Sequence, residues 1–355
     1  MENSKQSNQN TAPSKVIHGV HWKHSGIYEV VRTLLDEAEP SRFNQDMVVI
    51  NDYKFDFFSF IKFVKLLFLI VRGKQFYHAH SFLLYLLVLF AWSKKSAITF
   101  HNDYPYLTGV GLRDRLKRRL IRSIIKIKSP VVTCVGRNLS NKISSIFNCE
   151  VIFIQNPVNK KYISQFQREY SDGAVFGSVG RLADQKNYRR LIKAFSFYMS
   201  HLISSKKNAY LCIAGEGDER DLIESSIKES GLGDNIRLKG FVDDVPQFYA
   251  SIDVYICTSL YEGFGLSIVE AMLMGKPVIS TKVGVFLDFD EFYYLKIDNG
   301  KDERSIFKAM KKFSSLTQED IIMMIESNKL LCTKLFSPSH IFKIYSDLVW
   351  SCRKI

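Results

Sequence analysis

The chain has no CxxC pair and no cysteine cluster. Its six cysteines, at 134, 149, 212, 257, 332 and 352, are scattered. This spacing excludes a thiolate metal site and a disulfide scaffold, and the cysteines read as reduced thiols. Long hydrophobic runs are missing too. The longest, Phe82 to Trp92, is too short to cross a bilayer. Met1 to Asn10 is polar with no apolar segment, so no secretory leader is expected. There is no internal repeat, and no low-complexity segment beyond the first residues. A full G-x-G-x-x-G after a strand, with an acid about 20 residues on, is also lacking. That argues against a dinucleotide-dependent oxidoreductase.

Acid is in deficit, with 36 Asp and Glu against 49 Lys and Arg, a net charge of +13. The excess is concentrated in Arg113 to Lys128, RDRLKRRLIRSIIKIK, which holds eight basic residues and one acid. Neither a nucleic-acid recognition motif nor a basic-aromatic RNA signature accompanies it, so nucleic acid is not an expected partner. A basic amphipathic helix fits an anionic membrane surface or a solvated helix face.

At 355 residues, two domains with their own cores are expected. Residues 1–14 read as a disordered polar leader. A first strand from Lys15 runs through His21, Trp22, His24, Ser25 and Gly26 into a helix from about Tyr28 to Glu37. Met47 onward is a second strand. Phe57 to Val71 is a helix apolar on most faces, whose length suits a core helix or an interfacial one, and it is read as a core helix. Phe76 onward is a short strand, Phe82 to Trp92 a buried helix, and Ala97 onward another strand with His101 at its carboxyl end. Ligands gather at such strand ends in open α/β sheets. His101 there either faces a ligand or is satisfied by a backbone carbonyl. Strands at Val131 and Val151 follow, then a polar linker over 159–173. From Ala174 the alternation restarts, with strands at Ala209, Ile236 and Asp253. Asp243 and Asp244 open a short helix. Lys301 to Leu331 reads as helical, and Phe336 to Cys352 as a last helix.

The stretch Tyr261 to Met272 carries the strongest signal. Glu262, Gly263 and Gly265 lead into an apolar helix, Leu266 to Met274, ended by Gly275-Lys276-Pro277. Glu270 lies in the middle of that helix. A buried unpaired carboxylate costs several kcal/mol, so it requires compensation. Either it is paired within the core, or it faces a cleft and holds ligand hydroxyls. Gly263 and Gly265 permit close backbone approach, and a helix N-terminus favours anions.

These residues also carry a resemblance. Glu262-x7-Glu270 within EGFGLSIVEAM…GKPVIS closely resembles the signature of the retaining glycosyltransferases of family 4, the group 1 glycosyl transferases. The run G-R-L…K-N…L-I-K-A-F, from Gly180 to Phe195, and the run from Ala250 to Gly265 match as well. The family's paired glycines in the first loop are Ser25-Gly26 here. Its Pro-Glu pair after Gly284 is absent.

The resemblance implies a GT-B fold, α/β, with two Rossmann-like domains facing each other across a cleft. The first, 15–158, would bind the acceptor. The second, 174–335, would bind the donor, and 336–355 would cross back to the first. It implies that Arg181 and Lys186 stabilise a leaving diphosphate in place of a metal, and no metal site is expected. Glu262 would contact the donor sugar, with His101 also on that sugar, and Glu270 would hold the ribose hydroxyls. The backbone at Phe241 and Val242 would hold the base. Gly26, Gly215, Gly263, Phe264, Gly265 and Leu266 complete the expected donor-binding set. His21, Trp22 and His24 either line the acceptor side or are structural.

No cofactor is implied beyond a UDP- or GDP-linked nucleotide-sugar donor. The implied activity is transfer of a hexose-type sugar to a glycan or lipid-linked oligosaccharide, in O-antigen, capsule or lipopolysaccharide synthesis. The implied location is cytoplasmic, peripheral on the inner face of the membrane through Arg113 to Lys128. A GT-B scaffold that has lost catalysis and serves as a binding partner is the alternative.

Overall fold

The structure is a computed structural model. It describes residues 15–23, 25–37, 44–51, 56–72, 75–91, 96–163, 174–203 and 207–351. The expected leader, His24, Trp92, Cys352 and the 164–173 part of the expected linker lie outside the described residues. The chain divides into two compact units. One runs to Pro157 and resumes at Pro338; the other is Val158–Ser337.

The first unit opens with β1 (Lys15–Trp22), α1 (Gly26–Asp36), β2 (Asn44–Asn51) and α2 (Phe57–Arg72). β3 (Phe76–Ala79), α3 (Phe82–Tyr85), β4 (Ser96–Phe100) and α4 (Leu112–Lys128) follow. β5 (Val131–Cys134), α5 (Arg137–Phe147) and β6 (Ile152–Phe153) complete its first pass. The sheet order is β2-β1-β3-β4-β5-β6, with every pairing parallel. Parallel strands covered on both faces read as unbroken apolar runs, and every residue of β3 and β4 is buried. The order reverses between β1 and β3, so the carboxyl ends of these strands form the unit's switch point.

The second unit restarts with β7 (Ala174–Val179), α6 (Tyr188–Leu202), β8 (Ala209–Ala214), α7 (Arg220–Ser230) and β9 (Ile236–Gly240). Next come α8 (Val245–Ala250), β10 (Val254–Cys257), α9 (Leu266–Leu273), β11 (Val278–Thr281) and α10 (Val285–Asp288). β12 (Leu295–Ile297), α11 (Glu303–Phe313) and α12 (Gln318–Leu335) finish it. The order β12-β11-β10-β7-β8-β9 is again all parallel and reverses between β7 and β10. Phe176, Leu191, Phe195, Ile213, Val254 and Met310 lie in its core. The last helix, α13 (Pro338–Ser351), belongs to the first unit. Its Ile341, Phe342, Tyr345 and Val349 pack with Val16, Leu34, Phe76 and Ala97.

Several expectations are corrected. α2 is not a core helix. Only Ser59, Leu66 and Ile70 are buried, while Phe57 is 71% and Phe58 70% exposed. Overall apolarity misled here, because one buried stripe is all that packing requires. The run from Phe82 is a short α-helix that tightens into a 3-10 turn, Leu86–Phe90, and Phe90 is exposed. The helical region from Lys301 breaks into α11 and α12. The reason is local: Thr317 and Asp320 exchange side-chain to backbone hydrogen bonds as a capping box, which starts a new helix. Residues at the start of the expected linker are ordered. Lys160–Tyr162 form a 3-10 turn, and Tyr162 is buried edge-on to Tyr249, 6.1 Å between ring centroids.

Among the described residues no helix is long and apolar enough to cross a membrane. Cys134, Cys149, Cys212, Cys257 and Cys332 are free thiols.

Candidate active site

In the second unit the expected donor-binding residues converge on the carboxyl ends of the strands. β7 ends at Gly180 and Arg181. The Gly180 amide donates to Ala214 O at 3.0 Å, and the Gly215 amide to Gly240 O at 2.7 Å, so three strand ends are laced together. This brings Arg181, Gly215 and the Phe241-Val242 segment beside one another. Arg181 is exposed, and its guanidinium has no hydrogen bond or ion pair among the described residues. Phe241 is exposed and Val242 half-buried.

Lys186 turns inward instead. Its ammonium lies 2.8 Å from Glu262 Oε1, with both side chains largely buried. The Ser259 hydroxyl donates to the same oxygen at 2.8 Å. Burial works against the Lys186 ammonium, but the Glu262 carboxylate and nearby Tyr188 and Tyr255 outweigh it, and its pKa rises. Lys186 is therefore a fixed cation. Gly180 makes room for it. Its φ is +157°, and a Cβ there would lie 2.6 Å from Lys186 Cε.

The loop from Glu262 to Gly265 is buried at its glycines and enters α9 through Gly265, φ +81°. The amides of Gly263, Phe264, Gly265 and Leu266 donate to no group among the described residues. They form a cluster of free donors at the positive end of a helix, the arrangement that binds phosphate oxygens. Phe264 anchors the loop by packing edge-on to Phe336, 5.1 Å between centroids. Gly284 presses on the loop's backbone, where a Cβ would meet Phe264 O at 2.3 Å, and the Val285 amide donates to that carbonyl at 2.8 Å. In place of the missing Pro-Glu pair, Phe286 and Phe289 extend the aromatic packing to Phe292 and Phe336.

Glu270 is 6% exposed. Tyr249 provides compensation, its hydroxyl lying 3.0 Å from Glu270 Oε2 and 3.0 Å from Ser267 O. Tyr255 reaches the Ser267 hydroxyl at 2.8 Å. Sequence reasoning missed Tyr249, because nothing local marks an ordinary aromatic on α8 as the partner of a residue on α9. It also passed over Asn187, which is left-handed at φ +61°. Its amide nitrogen reaches Thr258 O at 3.2 Å and Gly300 O at 2.7 Å, tying the β7 loop to those after β10 and β12. Asn tolerates that conformation better than other side chains, a signal available in the Lys-Asn pair.

In the first unit, Gly26 is the exposed first residue of α1. The neighbouring Ser25, standing where the family has glycine, is the N-cap. Its hydroxyl accepts from the Tyr28 amide at 3.2 Å and donates to Trp22 O at 2.8 Å. His21 packs edge-on against Trp22 at 5.6 Å.

His101 belongs to a cluster that sequence reasoning did not foresee. Its Nε2 lies 2.9 Å from His80 Nδ1, His80 Nε2 lies 3.1 Å from His18 Nδ1, and His18 Nε2 lies 2.9 Å from Gln45 Oε1. His101 is thus satisfied by another imidazole, not by a carbonyl. His78 is set apart on hydroxyls, with Tyr345 at 3.0 Å and Thr99 at 2.5 Å. His18, His78 and His80 also bring possible ligand nitrogens within 4.8 Å of one another. The close, tilted approach of His78 and His80, 4.0 Å between ring centroids, and the hydrogen bonds already made by each ring fit a proton-sharing chain better than metal ligation.

Burial lowers all four pKa values, to about 4 for His18 and about 3 for His101, so the cluster is neutral near pH 7. In a neutral chain the polarity is set at one end. With Gln45 Oε1 accepting, every linked ring carries its proton on Nε2, and His101 Nδ1 is an acceptor. Turning the Gln45 amide reverses each bond and makes His101 Nδ1 a donor.

The comparisons with known proteins bear on this arrangement. Residues 159–321 match the family model described as glycosyl transferases group 1. An uncharacterized glycosyltransferase of Methanocaldococcus jannaschii is 33% identical over 174 residues, 44% of this chain and 43% of that protein. The lipopolysaccharide core biosynthesis glycosyltransferase LpsE of Rhizobium meliloti is 31% identical over 112 residues, 32% of this chain and 31% of that protein. The matches thus span less than half the length of these relatives. The crystal structure of Anabaena HepE in complex with UDP and glucose shares the fold at TM-score 0.75 and 17% identity, covering 95% of this chain and all of that one. The chain therefore has the GT-B fold, and within its second unit residues 159–321 match the group 1 glycosyl transferases.

Proposed function

We propose that this chain is a retaining glycosyltransferase. It moves a hexose-type sugar from a UDP- or GDP-linked donor to a glycan acceptor of bacterial surface polysaccharide, such as O-antigen, capsule or lipopolysaccharide. The observation that carries this reading is the buried Lys186–Glu262 pair close to the free amides at the start of α9. Arg181 and Lys186, with those amides, receive the negative charge that grows on the leaving diphosphate. No metal is required for that step. Glu270 holds the ribose hydroxyls, Glu262 and His101 contact the donor sugar, and the backbone at Phe241 and Val242 holds the base. The acceptor hydroxyl attacks the anomeric carbon on the face from which the diphosphate leaves. Its proton passes to a leaving phosphate oxygen, so the configuration is retained.

The acceptor class is supported by the likeness to a lipopolysaccharide core enzyme, and the donor class by a solved neighbour that holds UDP and glucose. The exposed cations of α4 support a position at the inner, cytoplasmic face of the membrane, where a lipid-linked acceptor would lie.

The test is thermal melting with UDP, GDP and ADP in parallel. A nucleotide at 100 times its dissociation constant adds about 2.7 kcal/mol of stability, which is read as a raised Tm. A shift with one nucleotide identifies the donor class and directs a sugar panel. No shift with any of the three moves weight to the scaffold reading.

A further inference from the structure

The exposed face of α2 is used by no step of this reaction. Phe57, Ile61, Val64, Phe68 and Val71 recur at intervals of four and three residues, so they form one stripe, with Phe60 beside it. All six are exposed. Solitary exposed apolar residues are ordinary, but a continuous apolar patch marks an interaction surface. One edge of the stripe is basic. Lys65 and Arg72 are exposed there, and the Arg72 guanidinium sits 4.2 Å over the Phe68 ring. The 3-10 turn Leu86–Phe90 packs against both α2 and α4, so the stripe and the basic helix flank one element. On α4, Arg113, Arg115, Arg119 and Lys126 are exposed and bond to no group among the described residues, with Leu112 and Leu116 exposed beside them. The other α4 cations have structural work: Arg118 donates to Tyr106 O and Gly109 O, and Lys128 to Ala91 O.

We propose that the α2 stripe inserts into the interfacial layer of an anionic lipid bilayer, while Lys65, Arg72 and the free cations of α4 hold the headgroups. Charge selects the occupant. A second copy docked stripe to stripe would oppose two basic rims on chains of net charge +13. An anionic bilayer neutralises the same rim and covers the phenylalanines. The inference deepens the membrane association proposed above, but it rests on α2 and not on catalysis.

The test is flotation of the full chain with phosphatidylcholine vesicles, with and without phosphatidylglycerol, at low and high salt. The wild-type protein binds the anionic vesicles, and part of the binding survives high salt, because screening weakens charge attraction but not apolar burial. Phe57→Ser with Phe68→Ser lowers partitioning by roughly tenfold per side chain and removes the salt-resistant part. Arg115→Gln with Arg119→Gln lowers only the salt-sensitive part. Both variants remove exposed groups, and an unchanged melting temperature and nucleotide shift confirm their folding and donor site. Wild-type binding that vanishes at high salt, or undiminished binding in the phenylalanine variant, overturns the proposal. So does a dimer, seen by light scattering, that the same variant abolishes, since the stripe would then belong to a second copy.

Discussion

The two units bury polar groups at the ends of their parallel sheets by opposite means. The second keeps its charges and pairs them, Lys186 with Glu262. The first removes charge, holding His18, His78, His80 and His101 neutral, with His18, His80 and His101 satisfying one another and His78 resting on hydroxyls. A charge pair presents a fixed field, which suits binding a diphosphate. A neutral imidazole chain presents a donor or an acceptor according to its protons, which suits reading hydroxyls. The same sheet architecture thus supports two kinds of polar chemistry.

The largest test of this contrast is to break the pair. Lys186→Ala leaves Glu262 buried without its cation and lowers stability by about 3 kcal/mol. Lys186→Met combined with Glu262→Gln restores most of that, as urea denaturation would show, while transfer stays at least about a hundredfold down in all variants. Wild-type turnover in the double variant would reduce the pair to a structural role.

Acid probes the other side. The unfolded chain protonates each histidine near pH 6.5, whereas in the fold His18 waits until about 4 and His101 until about 3. The unfolded state therefore binds more protons as pH falls below 6.5, and stability drops with it. The loss is up to about 1.4 kcal/mol per pH unit for each histidine, ending once the folded-state values are passed. Denaturation curves that do not change between pH 6.5 and about 4 would contradict a neutral cluster.

Tyr249→Phe removes one donor to Glu270 and costs about 1–2 kcal/mol, measured by the same denaturation. It sharpens the contrast by showing how far Glu270 depends on a neutral partner. Ser25→Ala costs about 1 kcal/mol, and Ser25→Gly, the family's residue, only a few tenths. A larger loss with Gly would mean that the hydroxyl does more than cap α1.

Legibility in the sequence followed the range of the interactions. The Gly263–Gly265 turn and the apolar helix behind it were readable because they are local and their chemistry is set by residue type. Lys186 and Glu262 were named separately from motif spacing. That they form one ion pair, 76 positions apart, was not readable. His101 was marked by its place at a strand end, but His18 and Gln45 looked like ordinary strand residues. They meet only because β1, β2, β3 and β4 pair as they do. α2 shows the reverse failure: its composition indicated burial, and the fold left a whole face of it outside.

By itself the sequence determined the alternation of strands and helices, the restart of that alternation in a second domain, and the glycine turn and apolar helix that follow Glu262. Those follow from periodicity, turn chemistry and charge, which act over a few residues. The tertiary structure alone decided which charges pair, which imidazoles share protons and which apolar faces stay exposed. Those outcomes depend on burial and on contacts between distant segments, and desolvation has no value until the neighbours are in place.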